Sequence, residues 1–190
     1  VIINISRIKM TRLFIALTPT VDFNKEISSL KESQKALKYK NVQINWSNNN
    51  QHHVTVNFIG AMEPEQKEEM FNILDSRPPF KSLPIEINNL SYFPNENGQV
   101  LVANISLTPR LQKLYDQVEE VVARIGFGMA LRSYKPHITL ARFKEKNRPF
   151  SELLVLEEPI SFACNSLDVY ESSFKGGKTI HSLIKSYSLE

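Results

Sequence analysis

His53-Val54-Thr55-Val56 and, 84 positions later, His137-Ile138-Thr139-Leu140 are two copies of one pattern, His-x-Thr-x, in a chain of 190 residues. In an extended strand alternate side chains share a face. His53 and Thr55 therefore point one way and Val54 and Val56 the other, and His137 and Thr139 are set the same way against Ile138 and Leu140. Each copy offers an imidazole and a hydroxyl to one side and anchors itself by apolar residues on the other. The same order precedes both copies. Before the first come an apolar strand (Arg12 to Leu17), Leu17-Thr18-Pro19, an amphipathic helix and a loop. Before the second come a strand (Gln99 to Leu107), Leu107-Thr108-Pro109, an amphipathic helix and a loop. This repeat predicts an α+β, bilobal pseudo-twofold fold. Two antiparallel sheets line a central cleft, helices cover the outer faces, and the cleft takes the ligand.

The remaining elements follow from period and punctuation. Asp22 offers an N-cap to a first helix carrying Phe23, Ile27, Leu30 and Leu37 at helical spacing. Val42 to Trp46 alternates as an edge strand, and Ser47 to Gln51 is a polar loop. His53 to Ile59 is a strand closed by Gly60, and Glu63-Pro64-Glu65 opens a second helix that Pro78-Pro79 stops. Ser82 to Phe93 and Gln99 to Leu107 form a hairpin around Asn95-Glu96-Asn97-Gly98. Thr108-Pro109 caps a helix whose stripe is Leu111, Leu114, Val118, Val121, Val122 and Ile125, and Gly126 ends it. After the strand His137 to Phe143, Glu145 to Arg148 is a charged turn. The tail reads as strands at Ile160–Cys164, Ser166–Ser172 and Thr179–Tyr187, the last two joined by a turn at Gly176-Gly177. Residues 1–9 are expected to be an upstream extension, with one bilobal domain over 10–190.

Composition narrows the function classes. Lys and Arg number 23 against 20 Asp and Glu, a mildly basic balance that suits a small anionic substrate or an RNA end without indicating a nucleic-acid coat. One cysteine, Cys164 in an apolar stretch, excludes a disulfide framework and a multi-cysteine metal site, and fits a small core residue. No apolar run approaches the roughly 20 residues that span a bilayer. A cytoplasmic protein without membrane attachment is expected. The four histidines show no familiar metal spacing, and there is no Gly-rich phosphate loop and no Gly-x-Ser-x-Gly elbow. The expected site uses no metal and no cofactor.

Two imidazoles near neutrality can serve as a general acid and a general base, and two hydroxyls can hold the oxygens of an anion between them. That set suits in-line displacement at a tetrahedral phosphate. His53, Thr55, His137 and Thr139 are the candidate site residues. Alternation turns His52 to the other face, where it reads as a strand-entry residue, and His181 reads as a surface or cross-strand residue of the tail.

The doubled motif, with Arg12-Leu13-Phe14-Ile15-Ala16-Leu17, the block Trp46 to Gly60, Tyr134 to Arg142 and the closing strands Leu167 to Leu189, resembles the 2H phosphoesterase superfamily. Within it the chain is most similar to the RNA 2′,3′-cyclic phosphodiesterases, also called 2′-5′ RNA ligases, over about residues 10 to 190. The resemblance implies metal-independent hydrolysis of RNA 2′,3′-cyclic phosphate ends, or of cyclic nucleotides, to 2′-phosphates by a monomer. His53 would be the proton donor and His137 the proton acceptor, with Thr55 and Thr139 on the phosphate oxygens. The residues alone leave the direction of proton transfer open. The alternatives are a 2′-5′ RNA ligase or 2′,5′-phosphodiesterase and, in another class, an RNA-end or nucleotide-binding module with little activity, against which the intact motifs argue. The family often has Lys or Arg where Asn57 stands, on the face alternation shares with His53. Arg142 matches a basic position of the family, although simple alternation turns it away from His137. Tyr92, Phe93 and Tyr134 are candidates to stack on a base, with core or rim packing as their other reading.

Overall fold

The computed structural model describes residues 10–36, 44–48, 51–95, 97–128, 133–144 and 154–190. Its elements are β1 (Thr11–Pro19), α1 (Val21–Ala36), β2 (Ile44–Trp46), β3 (Val54–Met62), α2 (Pro64–Ser76), β4 (Pro84–Phe93), β5 (Val100–Ile105), α3 (Pro109–Arg124), β6 (His137–Phe143), β7 (Leu154–Lys175) and β8 (Lys178–Ser188). The strands follow the order β1-β3-β6-β5-β4-β7-β8, β1 also pairs β7, and every strand pairing is antiparallel. The architecture is the expected α+β one, and β1–β3 corresponds to β5–β6 in the repeat.

The two sheets are joined rather than separate. β3 and β6 meet through one pair, Val54↔Ile138, the residues that follow the two motif histidines. The pseudo-twofold axis passes through that pair. On the other side the long β7 pairs β4 from Leu154 to Ala163, β1 from Cys164 to Glu171, and β8 from Ser166 to Lys175. The tail strands expected at Ile160–Cys164 and Ser166–Ser172 are thus one strand handed from one lobe to the other. The core lies on the helix-covered faces: Leu13, Ile15, Leu17, Val54, Val56, Ile138 and Leu140 are buried there with Met70, Leu111 and Val118 of the helices. Cys164 is buried among them, and burial pushes its thiol up to about 12, an inert core residue.

Local expectations hold with three corrections. Pro64 sits in the first turn of α2, and Gly126 follows α3 with φ 91°, the left-handed geometry a glycine supplies. The cap of α1 is Thr20 rather than Asp22: helix starts at Val21, the Phe23 N–H donates to Thr20 Oγ1 (3.4 Å), and Asp22 lies inside the first turn paired with Lys25. Gly60 does not close β3, which continues to Met62; with φ 90° it sits beside a bulge. The two Leu-Thr-Pro copies serve different ends. Thr108 caps α3 by accepting from the Leu111 N–H (3.2 Å), whereas Thr18 stays in β1 and bonds Asp168. Leu37, Val42, Gln43 and the turn at 145–148 lie outside the described residues.

The β7–β8 register is set by Gly176 and Gly177, both at positive φ (57° and 77°), which place Lys175 opposite Lys178 and His181 opposite Ser172. Gly177→Ala is expected to lower stability by about 1 kcal/mol, because a Cβ in left-handed backbone is penalised by that order. Urea unfolding measures it, and an unchanged midpoint would show that this turn does not hold the register.

Candidate active site

The two histidines are held in the same way. His53 Nδ1 lies 2.8 Å from the carbonyl of Gln51, and His137 Nδ1 lies 2.7 Å from the carbonyl of Lys135, in each case the residue two before. A carbonyl only accepts, so each Nδ1 carries a proton and each neutral ring keeps a bare Nε2. Each ring is backed by a phenylalanine. Phe14 of β1 is tilted against His53 with centroids 5.1 Å apart, and Phe93 of β4 stacks on His137 at 4.2 Å.

Two matching bulges decide what else reaches the cleft. On β6, Thr139 pairs Val102 but Ala141 pairs Leu101, so Leu140 is an extra residue. His137, Thr139 and Arg142 then oppose Asn104, Val102 and Val100, which alternate along one face of β5. Arg142 is therefore on the cleft face, contrary to simple alternation. On β3, Thr55 pairs Ala16 but Asn57 pairs Ile15, so Val56 is the extra residue. Phe58, opposite Phe14, takes the cleft face. Asn57 is turned to the helix side, where its amide donates to Glu119 of α3. The expectation that position 57 shares a face with His53 is thereby corrected. The last position of each His-x-Thr-x is the bulge, and the fifth residue after each histidine faces the cleft. Re-aiming a side chain is what a bulge does.

The cleft side of β1 continues as an aromatic cluster. Phe14 stacks on Tyr170 (5.2 Å) and Phe58 (6.5 Å) and meets His181 edge-on (4.9 Å), and His181 is edge-on to His53 with centroids 5.5 Å apart. His181 thus lies in the site and not outside it, as its lack of a motif suggested. Tyr170 is pinned from below. Its hydroxyl lies 2.8 Å from Thr18 Oγ1 and donates to Asp168 (3.2 Å), a buried carboxylate that also accepts from Thr18, Ser166 and Ser186.

Of the other expected residues, Thr55 and Thr139 lie half-buried on the cleft face. Phe93 is a cleft residue. Tyr92 packs on Phe143, and Tyr134, which also lines the groove described next, stacks on Tyr115 and donates to the Thr55 carbonyl (3.0 Å). A groove of about 930 Å³ opens beside the motifs, lined by Thr55, Phe58, Phe93, Tyr115, Lys135 and His137 among others. Among the described residues no group of three or more His, Cys, Asp or Glu could hold a metal ion, and no helix is long and apolar enough to cross a membrane.

Electrostatics sets the protonation of the free cleft. Burial, aided by His181, His137 and Arg142, pushes His53 down to about 4 against the opposing bond to Gln51. Burial, with Arg142, also lowers His137 and His181. All three imidazoles are thus shifted toward the neutral form in the free cleft.

Paired imidazoles across a dyad, with hydroxyls and one guanidinium on the same face, define a phosphoesterase of the two-histidine class. The chain belongs to the 2′-5′ RNA ligase superfamily, whose sequence pattern matches residues 22–174. It is 24% identical over 181 residues to an RNA 2′,3′-cyclic phosphodiesterase of Methanocaldococcus jannaschii, covering 93% of this chain and 99% of that one. A protein of the same description from Aeropyrum pernix is 31% identical over 94 residues, 48% of this chain and 53% of its own. Among solved structures, E. coli LigT complexed with 3′-AMP is similar with a TM-score of 0.76 at 20% identity, covering 95% of this chain and 99% of that chain. TT0787 of Thermus thermophilus is similar with a TM-score of 0.78 at 18% identity, covering 94% of this chain and 97% of that chain.

Buried neutral histidines make stability depend on pH. His52 is buried, with Nδ1 3.3 Å from Asn24 Oδ1, and burial with Lys31 and His53 nearby pushes it from 6.5 to about 4. In the unfolded chain it binds a proton first, so its contribution is complete above pH 6.5 and is lost as pH falls toward 4. The urea midpoint should fall over that window, and His52→Gln should flatten the fall. An equally steep fall in the variant would show that His52 is not its source.

Proposed function

We propose that the protein hydrolyses RNA 2′,3′-cyclic phosphate ends, or nucleoside 2′,3′-cyclic phosphates, to 2′-phosphates without a metal ion. The observation that carries this reading is the matched pair of histidines, each with Nδ1 committed to a backbone carbonyl and Nε2 free. The description of the Methanocaldococcus relative supports the substrate class, and the groove beside His137 gives a nucleotide room.

His137 Nε2 takes a proton from water, the water oxygen attacks phosphorus, the bond from phosphorus to the 3′ oxygen breaks, and His53 Nε2 gives that oxygen its proton. The product is a 2′-phosphomonoester with a free 3′ hydroxyl. Thr55 and Thr139 donate to the non-bridging oxygens, and Arg142 supplies positive charge on the same face. His53 Nε2 carries no proton at pH 7 in the free protein because burial, with the Arg142 charge and the other imidazoles nearby, disfavours the imidazolium. The phosphodiester anion offsets those neighbours and lets it hold the proton it must give.

The assignment of His53 as donor and His137 as acceptor follows the family resemblance, and product identity tests the direction. In EDTA, a nucleoside 2′,3′-cyclic phosphate should turn over to the 2′-phosphate. Loss of turnover in the chelator, or formation of the 3′-phosphate, contradicts the scheme. His53→Ala and His137→Ala should each lower kcat by about 10² or more, the usual worth of a positioned acid or base. A near-wild-type rate in either removes the acid–base pair. kcat/KM should decline as pH rises through neutrality, since it reports the depressed free imidazoles. The decline in kcat should come at higher pH, because bound anion raises the donor. Coincident alkaline limbs would mean the substrate does not restore the proton.

A further inference from the structure

His181 is the third imidazole of the cleft, and the acid–base scheme gives it no task. Its placement is specific. Counting from the Gly176-Gly177 turn puts it opposite Ser172, which shares a face with Tyr170, and a bulge at Ile184 restores the pairing beyond. Without that extra residue, continuing the register from the C-terminal end of β8 would turn Ser182 into the cleft instead. The ring meets Phe14 and His53 edge-on.

Its tautomer is the reverse of the other two. His53 and His137 give the Nδ1 proton to a carbonyl. His181 Nδ1 is buried with no partner among the described residues. A buried N–H without an acceptor is costlier than a bare ring nitrogen, so the proton of neutral His181 belongs on Nε2. The cleft then holds two imidazoles that offer a bare Nε2 and one that offers an Nε2–H. That third ring is a fixed neutral donor and needs no change of protonation to bind an oxygen. Its position also has a side. His181 meets His53 edge-on with centroids 5.5 Å apart, while the Arg142 charge acts on all three rings. Tyr170, stacked on the same Phe14, has its hydroxyl occupied by Thr18 and Asp168.

We propose that His181 is a substrate-binding residue whose Nε2–H donates to an oxygen of the terminal ribose, on the His53 side of the phosphate. This rests on the proposed function, in which His53 faces the oxygen that leaves with that ribose. A ring kept there only for packing would do better as phenylalanine, which has no nitrogen to bury.

The test uses a nucleoside 2′-monophosphate and inorganic phosphate as probes, with calorimetry on the full chain. His181→Phe should keep or raise the melting temperature, since it removes an unpartnered buried nitrogen. It should weaken the nucleoside 2′-monophosphate about tenfold, the effect of losing one hydrogen bond. His181→Gln, which keeps an N–H donor, should recover part of that loss. Inorganic phosphate should bind both variants as it binds the wild type. Unchanged nucleotide affinity in both variants overturns the proposal. An equal loss for inorganic phosphate overturns the ribose assignment, and a drop in melting temperature for His181→Phe shows the ring to be structural. If the wild type binds neither probe, the proposed function itself fails, which separates the two outcomes.

Discussion

One backbone pairing organises the site: Val54 opposite Ile138. It joins β3 to β6 at the pseudo-twofold axis and sets the two motif histidines, one residue earlier on each strand, on either side of that axis. The apolar side chains at the pair are fully buried on the core face, so slipping one strand by one residue would turn its histidine into the core. The constraint that keeps the lobes folded is the same one that holds the imidazoles at a fixed separation.

From that pair outward, irregularity rather than regularity selects the functional face. The bulges at Val56 and Leu140 occupy equivalent places in the two halves, yet deliver unlike residues: Phe58 on one strand and Arg142 on the other. The cleft is symmetric in its imidazoles and hydroxyls and asymmetric in its charge and its aromatic rings. A symmetric pair alone has no preferred direction. Arg142 on the His137 strand, and the cluster of Phe14, Tyr170 and His181 beside His53, make the two sides of the cleft unlike. The hydroxyl shell around Asp168 holds that cluster through Tyr170, so a buried carboxylate steadies the aromatic wall beside His53.

The parts of this arrangement that are local were readable in the sequence. The two motifs, the helices with their proline starts and glycine stop, and the Gly176-Gly177 hairpin each depend on a few neighbouring residues. The faces of Asn57 and Arg142 do not follow from period-two alternation, which assumes an unbroken ladder, and nothing in Val56 or Leu140 announces an extra residue. His181 carries no motif, yet counting from the Gly-Gly turn against the alternation of β7 puts it on the face of Tyr170. Asp22 looked like a cap because Asp favours that position, but Thr20 precedes the first helical residue and takes the role. The joining of two tail strands into β7 is a tertiary fact: its halves pair with β4 and β1, which lie far away in sequence.

Everything proposed for the cleft depends on His53 and His137 forming one phosphate site with matched tautomers. Nitrogen-15 spectra of the imidazoles, recorded at pH 7 with and without a nucleoside 2′-monophosphate, read that property ring by ring. Both rings are predicted to be neutral with the proton on Nδ1 in the free protein, and both to shift on binding, one of them gaining a second proton. Rings with the proton on Nε2 in the free protein, or a ligand that moves one histidine and leaves the other unchanged, would show that the two do not act as a pair.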